Sequence, residues 1–278
     1  QLFEPNKCKV VNLELKDAND YLKVGKAEAF TQAWWNAKAY TPAGIVNLAD
    51  LGDSLFEEDF CETCLYPWPD LNDKTYGIRT GELVTFTSGA GMGKSSIIRE
   101  LMHHIMMSTN DSIGVLAMEE NIKNTAFNLM SVEANARLYI KEIRDKFTPQ
   151  QLREWRDATV GTGRFYAFDH FGSISNDILM TKLRSLVEET GIALLLVSHL
   201  RRPTGDKGHE DGREVSLSHL RGSASIAHLS DSVIALERNQ QAGDETESNT
   251  TVLRILKNRY TGDTGIACKL YYDRQTGR

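Results

Sequence analysis

The sequence predicts an α/β fold: a mainly parallel β-sheet covered by helices, with an antiparallel C-terminal extension and a linker helix in front. Three observations predict it. Residues 82–95 read as a buried strand, a glycine-rich loop and the start of a helix. From Gly81 onward, apolar runs of strand length alternate with segments of helical apolar spacing. The last three apolar runs, Ser232–Leu236, Thr251–Leu256 and Ala267–Tyr272, are spaced as antiparallel neighbours.

Composition sets the outer limits. With 278 residues the chain can hold one large domain and an appendage. Hydrophobic residues make up 41% and charged residues 25%, which is ordinary for a soluble globular protein. The net charge of −6 gives no global attraction for nucleic acid, so any such contact has to come from a local basic surface. No apolar run approaches the length of a membrane span, and the N-terminus does not read as a signal peptide, so no membrane partner is expected. Cys8, Cys61, Cys64 and Cys268 include a single C-x-x-C without a second pair, which reads as free thiols ahead of a metal site.

Each element follows from local pattern. Cys8–Leu13 reads as a short strand and Lys16–Asp20 as a polar turn. Residues 24–40 read as a helix, with Phe30, Ala33, Trp34 and Ala37 on one stripe. Adjacent Trp34 and Trp35 cannot share one face. Either one packs on its own domain and the other on a neighbouring subunit, or both pack within the chain. Pro42, Gly44, Pro67 and Pro69 break residues 41–80 into linker and loop, with a short acidic helix near Leu55–Phe60. Beyond the glycine loop, Ser112–Met118, Arg164–Asp169 and Ile192–Ser198 read as strands. Residues 122–146 read as mostly helical, and Pro149–Thr159 and Ile178–Glu189 as helices.

The chemistry centres on Ser88-Gly89-Ala90-Gly91-Met92-Gly93-Lys94-Ser95. Strand, glycine loop, Lys-Ser and helix is the context of a P-loop. The glycines let backbone N–H groups fold around phosphate oxygens. Lys94 would reach the β- and γ-phosphates and Ser95 would hold Mg²⁺, with the helix N-terminus favouring the anion. The first position is Ser88 where the motif has glycine. Glu119 and Glu120 end the next strand, where ligands of open parallel sheets bind. Glu119 can deprotonate the attacking water; the same charge would also suit the start of the following helix. His199 ends another buried strand, placed to sense a γ-phosphate or simply to satisfy the strand end. Residues 201–214, RRPTGDKGHEDGRE, form either a solvated loop or a phosphate-contacting loop for single-stranded nucleic acid. Leu220–Ser225 looks like the start of a helix beside it, and Arg238 and Arg259 are further basic candidates. An arginine on the loop around Arg259 can reach a neighbour's nucleotide as an arginine finger.

Five segments together resemble one family: SGAGMGKS (88–95), VLAMEEN (115–121), LLLVSHL (194–200), LRGSASIAHLSDSVIALERNQQ (220–241) and ILKNRYTGDTGIA (255–267). The chain resembles the helicase half of bacteriophage primase–helicases. Twinkle-like mitochondrial helicases and bacterial replicative helicases are more distant relatives. The resemblance covers roughly residues 75–278. It implies a RecA-like P-loop NTPase core in a hexameric or heptameric homo-oligomeric ring. It also implies ATP or dTTP with Mg²⁺, and 5′-to-3′ movement on single-stranded DNA. Lys94 and Ser95 fall on the phosphate and Mg²⁺ positions, Glu119 on the catalytic base and His199 on the γ-phosphate sensor. Arg259 falls on the trans arginine finger, and Arg238 and Tyr272 on the pair that sandwiches the base. Arg201, Arg202, Lys207 and Arg221 fall to the DNA-contacting side. Residues 1–20 resemble the tail of a Toprim primase domain, 21–54 the linker with its subunit-docking helix, and 55–278 the helicase domain. The Toprim carboxylates and the zinc domain are absent, so primer synthesis is not expected of these residues. The setting implied is the cytoplasm of an infected bacterial host ahead of a mitochondrion, with a replication DNA polymerase as a further partner.

One departure stands out. Such a fold needs an apolar strand ending in Asp to hold Mg²⁺ through water. Only Phe165–Asp169 fits, and in the family that strand precedes a further helix and the Asp-bearing strand. Here Phe171-Gly172-Ser173 runs directly into the next helix, so a helix and a core strand are expected to be missing near Ser173–Ile174. Alternatively, Asp169 supplies the carboxylate in a rearranged sheet. The competing functions are a RecA-like strand-exchange ATPase and a nucleotide-binding module without turnover.

Overall fold

The computed structural model describes residues 8–39, 48, 52, 62–116, 120–167, 176–201, 208–220 and 224–278. The chain divides into two compact units, Gln1–Phe60 and Cys61–Arg278. The expected acidic helix near Leu55–Phe60 lies outside the described residues.

In the first unit, β1 (Lys9–Val10), α1 (Ala18–Lys23) and α2 (Ala27–Trp35) precede β2 (Lys38–Ala39), which pairs antiparallel with β1. The segment read as a polar turn is a helix start: the Asp17 side chain accepts from Asp20 N–H at 3.0 Å and caps α1. The helix expected over 24–40 is shorter. Gly25, at φ +72°, separates α2 from α1. Tyr21 is buried, stacks at 5.7 Å against Phe30, and its hydroxyl accepts from Glu14 N–H at 2.7 Å. Trp34 and Trp35 are 59% and 77% exposed, so neither of them is packed inside.

The second unit opens with β3 (Thr63–Cys64), α3 (Pro69–Thr75) and β4 (Ile78–Arg79), where β3 and β4 pair antiparallel. Then follow β5 (Leu83–Ser88), α4 (Lys94–Ser108), β6 (Ile113–Val115), α5 (Ile122–Glu133), α6 (Lys141–Arg144) and α7 (Pro149–Ala158). The chain continues with β7 (Phe165–Ala167), α8 (Asn176–Thr190), β8 (Leu194–His199), α9 (Ala224–Leu229) and β9 (Ser232–Glu237). It ends with α10 (Glu245–Asn249), β10 (Thr250–Asn258) and β11 (Gly265–Tyr271).

The main sheet runs β11-β10-β9-β5-β8. β9, β5 and β8 are parallel, and β10 and β11 extend it antiparallel, as the spacing of the last three runs predicts. All six residues of β5 and of β9 are buried, and both read as apolar or small-residue runs up to Glu237, the buried carboxylate that ends β9. β10 alternates, because it packs on one face near the edge. The helical reading of 122–146 fails in its middle. Asn135 adopts φ +48°, which ends the helical path after α5.

α4 joins two parts of the core. Ile97 and Leu101 pack with Phe86, Ile234 and Leu253, while Met102 and Met106 pack with Leu129 against Ile113, Val115 and Phe165. β6 and β7 pair parallel as a separate two-stranded sheet. β8 pairs with β5 on one edge, and among the described residues no strand pairs with its other edge. Accordingly Leu194, Leu195 and Leu196 are only half-buried and Val197 is 43% exposed, unlike the apolar residues of β5.

Candidate nucleotide-binding site

β5 ends at Ser88 and delivers the loop directly onto the first turn of α4. Gly91 and Gly93 sit at φ +71° and +92°, the left-handed region that glycine tolerates, and Gly93 is the N-cap of α4. Lys94 is the first helical residue and is 8% exposed. Its ammonium donates to the carbonyl oxygens of Ser88 at 2.9 Å and Gly89 at 2.8 Å, and to Ser88 Oγ at 2.9 Å. The cation therefore rests inside the loop's own curl, and the three described acceptors are neutral oxygens that an anionic phosphate would outcompete. The small Ser88 side chain fits the first loop position, buried and hydrogen-bonded to Gly89 O at 2.8 Å. Ser95 follows on the exposed side of the first turn, where its hydroxyl would be the group to hold a divalent cation. These residues fit a nucleotide's phosphates: a helix N-terminus, a glycine curl and one buried ammonium converge there.

A cavity of about 210 Å³ opens beside the loop, lined among others by Trp68, Met92, Ile97, Arg238, Leu270 and Tyr272. The Arg238 guanidinium lies 5.5 Å from the centre of the Tyr272 ring. It is fixed there by donating to Ser248 O and to Asn249 Oδ1. Burial, then the Arg274 charge, lowers the Arg238 pKa from its ordinary value. A base stacked between two planes needs two contacts of about 3.5 Å each, so a base entering this pair would part it. At the cavity rim Arg278 donates to both oxygens of Glu100, at 2.7 and 2.8 Å.

Of the other expected residues, the structure brings His199 to the phosphate-loop end of β5 and leaves Arg259 at the opposite end, beside Asp231 and Leu83. His199 ends β8 directly opposite Ser88 in the parallel register and is exposed. Arg201, two residues on, is exposed, and its backbone N–H donates to His219 O at 2.7 Å. Arg259 follows β10 in a turn and is exposed. Glu119, Arg202, Lys207, Arg221 and Asp169, together with the Ser173–Ile174 junction, lie outside the described residues. Glu120, the second carboxylate of the pair, is engaged by Arg99 at 2.8 Å and by Asn128 at 2.7 Å. Cys8, Cys64 and Cys268 are free thiols, and among the described residues no cluster could hold a metal ion.

Sequence reasoning missed two contacts. The reading of 201–214 as a solvated loop is corrected at His209, which is 6% exposed and abuts Gly89, where a Cβ would lie 2.8 Å from the His209 Cβ. Gln240 donates from Nε2 to Gly91 O at 2.7 Å and holds the glycine curl from the β9 side. The QQ pair was visible within the ERNQQ segment, but nothing in its spacing shows that it reaches residue 91.

Comparison with known proteins agrees with this geometry. Residues 67–202 match the family model of the DnaB-like helicase C-terminal domain. The chain is 33% identical to the DNA helicase/primase of Enterobacteria phage T3, a match covering 100% of this chain and 56% of that protein. That match runs over 323 aligned residues against 278 in the chain, a difference of 45. It is 20% identical to the replicative DNA helicase DnaB of Geobacillus stearothermophilus over 73% of the chain and 46% of that protein. The chain thus spans about half the length of these relatives. Among solved structures, a DnaB-like replicative helicase, studied with its interactions with primase, aligns with a TM-score of 0.64 at 16% identity. That alignment covers 93% of this chain and 72% of the other. A separate ATPase domain aligns with a TM-score of 0.62 at 17% identity, over 83% and 95% of the two chains. No helix among the described residues is long and apolar enough to cross a membrane. With a P-loop in place on a fold shared with these solved ATPase domains, residues 67–202 of this chain are similar to the DnaB-like helicase C-terminal domain.

Proposed function

We propose that this chain is the motor of a replicative DNA helicase, which hydrolyses a nucleoside triphosphate to move 5′-to-3′ along single-stranded DNA as a homo-oligomeric ring. The observation that carries the reading is the buried Lys94 ammonium in the loop's curl, beside a cavity flanked by Arg238 and Tyr272. ATP or dTTP with Mg²⁺ fits that cradle, and Mg²⁺ would supply charge neutralisation between the β- and γ-phosphates. Lys94 holds the transferred group, and Ser95 presents its hydroxyl to the cation. Arg238 and Tyr272 grip the base, which leaves the phosphates oriented along α4. In this reading Glu119 takes the proton of the attacking water, His199 senses the γ-phosphate, and Arg259 reaches a neighbour's nucleotide. Arg201, Arg202, Lys207 and Arg221 face DNA in a hexameric or heptameric ring. Residues 1–20 are the end of a primase domain, and 21–54 a linker whose helix docks on the adjacent subunit, with Trp34 and Trp35 exposed on it. The host-cell cytoplasm is the setting, with a replication polymerase as partner.

The test is turnover in Lys94→Ala. Removing the buried counter-charge should abolish hydrolysis, by about 10²-fold or more, with the fold intact by circular dichroism. Near wild-type turnover would remove the P-loop assignment.

One observation favours a second reading, nucleotide binding without turnover. The outer edge of β8 is unpaired among the described residues, and β6–β7 stand as a separate pair. A strand carrying the Mg²⁺ carboxylate belongs beside β8 in the motor reading. The relative's match exceeds this chain by 45 residues, which is room for one helix and one strand. The motor reading therefore holds that the functional protein carries residues between Ser173 and Ile174 that this sequence lacks.

A further inference from the structure

The cavity beside the phosphate loop has one charged edge that the base and phosphate contacts leave unused. α4 turns a single face toward it: Gly93, Ser96, Ile97 and Glu100 follow helical spacing and all line it. Glu100 lies six residues beyond Lys94, about 9 Å along the helix axis. Arg238 and Tyr272 line the same cavity. With phosphates at the start of α4 and a base at Arg238 and Tyr272, the group that joins them is the sugar. Among the described residues, Glu100 is the one carboxylate on the cavity wall.

A bare carboxylate in a site for phosphates would repel its ligand. Arg278 offsets that charge. Its Nε and Nη2 donate to the two Glu100 oxygens at 2.7 and 2.8 Å, a bidentate pair. The guanidinium is held in turn by Nη1, which donates to Val132 O at 3.2 Å near the end of α5. A turn after β11 brings it back to α4. Asp273 accepts there from Gln275 N–H at 2.7 Å and from Thr276 Oγ1 at 3.0 Å, and Gly277 follows at φ +84°. An ion pair whose arginine is 42% exposed adds little stability, so stability alone does not account for this arrangement. The pairing uses one acceptor position on each Glu100 oxygen, and an ionised carboxylate has a second on each. We propose that Glu100, neutralised and oriented by Arg278, accepts a hydrogen bond from a hydroxyl of the nucleotide's sugar and so determines which sugars the site prefers. The proposal rests on the reading of this cavity as the nucleotide site.

The test is calorimetric titration of the full chain, with Mg²⁺, by ADP, 2′-deoxy-ADP and 3′-deoxy-ADP, which bind without turnover. In the wild type, the analogue lacking the hydroxyl that Glu100 holds should bind about tenfold more weakly than ADP, the scale of one hydrogen bond to a charged acceptor. In Glu100→Met that gap should close. Glu100→Gln keeps a carbonyl oxygen to accept the hydroxyl and should retain most of it. A merely structural role would shift all three ligands together in Glu100→Met and leave the gap intact, and that result would overturn the proposal. Equal affinity for all three in the wild type would overturn it as well, with the nucleotide site left standing. Were none of the three to bind the wild type, the nucleotide reading itself would fail, and the proposal with it.

Discussion

Arg259 donates from Nη1 to one oxygen of Asp231 at 3.2 Å, while the other oxygen of that carboxylate takes Arg184 at 2.6 Å. The same Asp231 accepts from Leu83 N–H at 2.9 Å, at the first residue of β5. A second Arg259 nitrogen donates to His228 O near the end of α9. Its side chain is nonetheless 48% exposed. The guanidinium is thus presented at the surface from a fixed root, and a phosphate on a neighbouring subunit could replace Asp231 as its partner. Arg259→Ala should reduce hydrolysis by about 10³-fold, the scale of a lost arginine finger. The stability cost should stay within about 1 kcal/mol, since the Arg259 side chain is half-exposed and the buried Asp231 keeps Arg184 and Leu83 N–H as partners. Mixed assemblies of Arg259→Ala and Glu119→Gln subunits should recover activity where intact copies of both residues meet. No recovery in any mixture, with assembly confirmed, would place Arg259 outside the neighbour's site.

The Arg238–Tyr272 pair predicts a binding defect with little effect on chemistry. Tyr272→Ala removes a stacking surface worth about 1–3 kcal/mol. The Michaelis constant for the nucleotide should rise about tenfold or more at nearly constant kcat, because the base is held equally in ground and transition states. A fall in kcat with unchanged KM would remove this pair from base recognition.

The edge of β8 that no strand pairs with among the described residues predicts a covalent fact. If the functional protein carries a helix and strand after Ser173, a tryptic digest cannot contain the contiguous peptide Phe165–Lys182 that follows Arg164 in this sequence. Mass spectrometry of the digest should then show longer or additional peptides across this junction. Recovery of Phe165–Lys182 intact would show that the chain folds without that strand and would favour nucleotide binding without turnover.

Much of this site was legible in the residues because its parts are local. Strand, glycine curl, Lys94 and α4 are consecutive, so one motif specifies their geometry. β5 and β9 are buried on both faces, so their composition announces a central position. What escaped was decided by distant pairings. His209 sits among charged and glycine residues that read as a solvated loop, and only the folded path of 208–220 brings it onto Gly89. Gln240 lies 149 residues from Gly91, and no periodicity encodes such a reach. The Lys16–Asp20 stretch was misread because Asp17 serves a turn and a helix cap with the same side-chain geometry.

The central claim is that nucleotide hydrolysis at the Lys94 site drives strand separation. The direct measurement is unwinding of a forked duplex bearing a 5′ single-stranded tail, with triphosphate and Mg²⁺, by the wild type and by Lys94→Ala. The account predicts strand release that requires the triphosphate and the 5′ tail and is lost in Lys94→Ala. Hydrolysis stimulated by single-stranded DNA without strand release, in assembled protein, would contradict it.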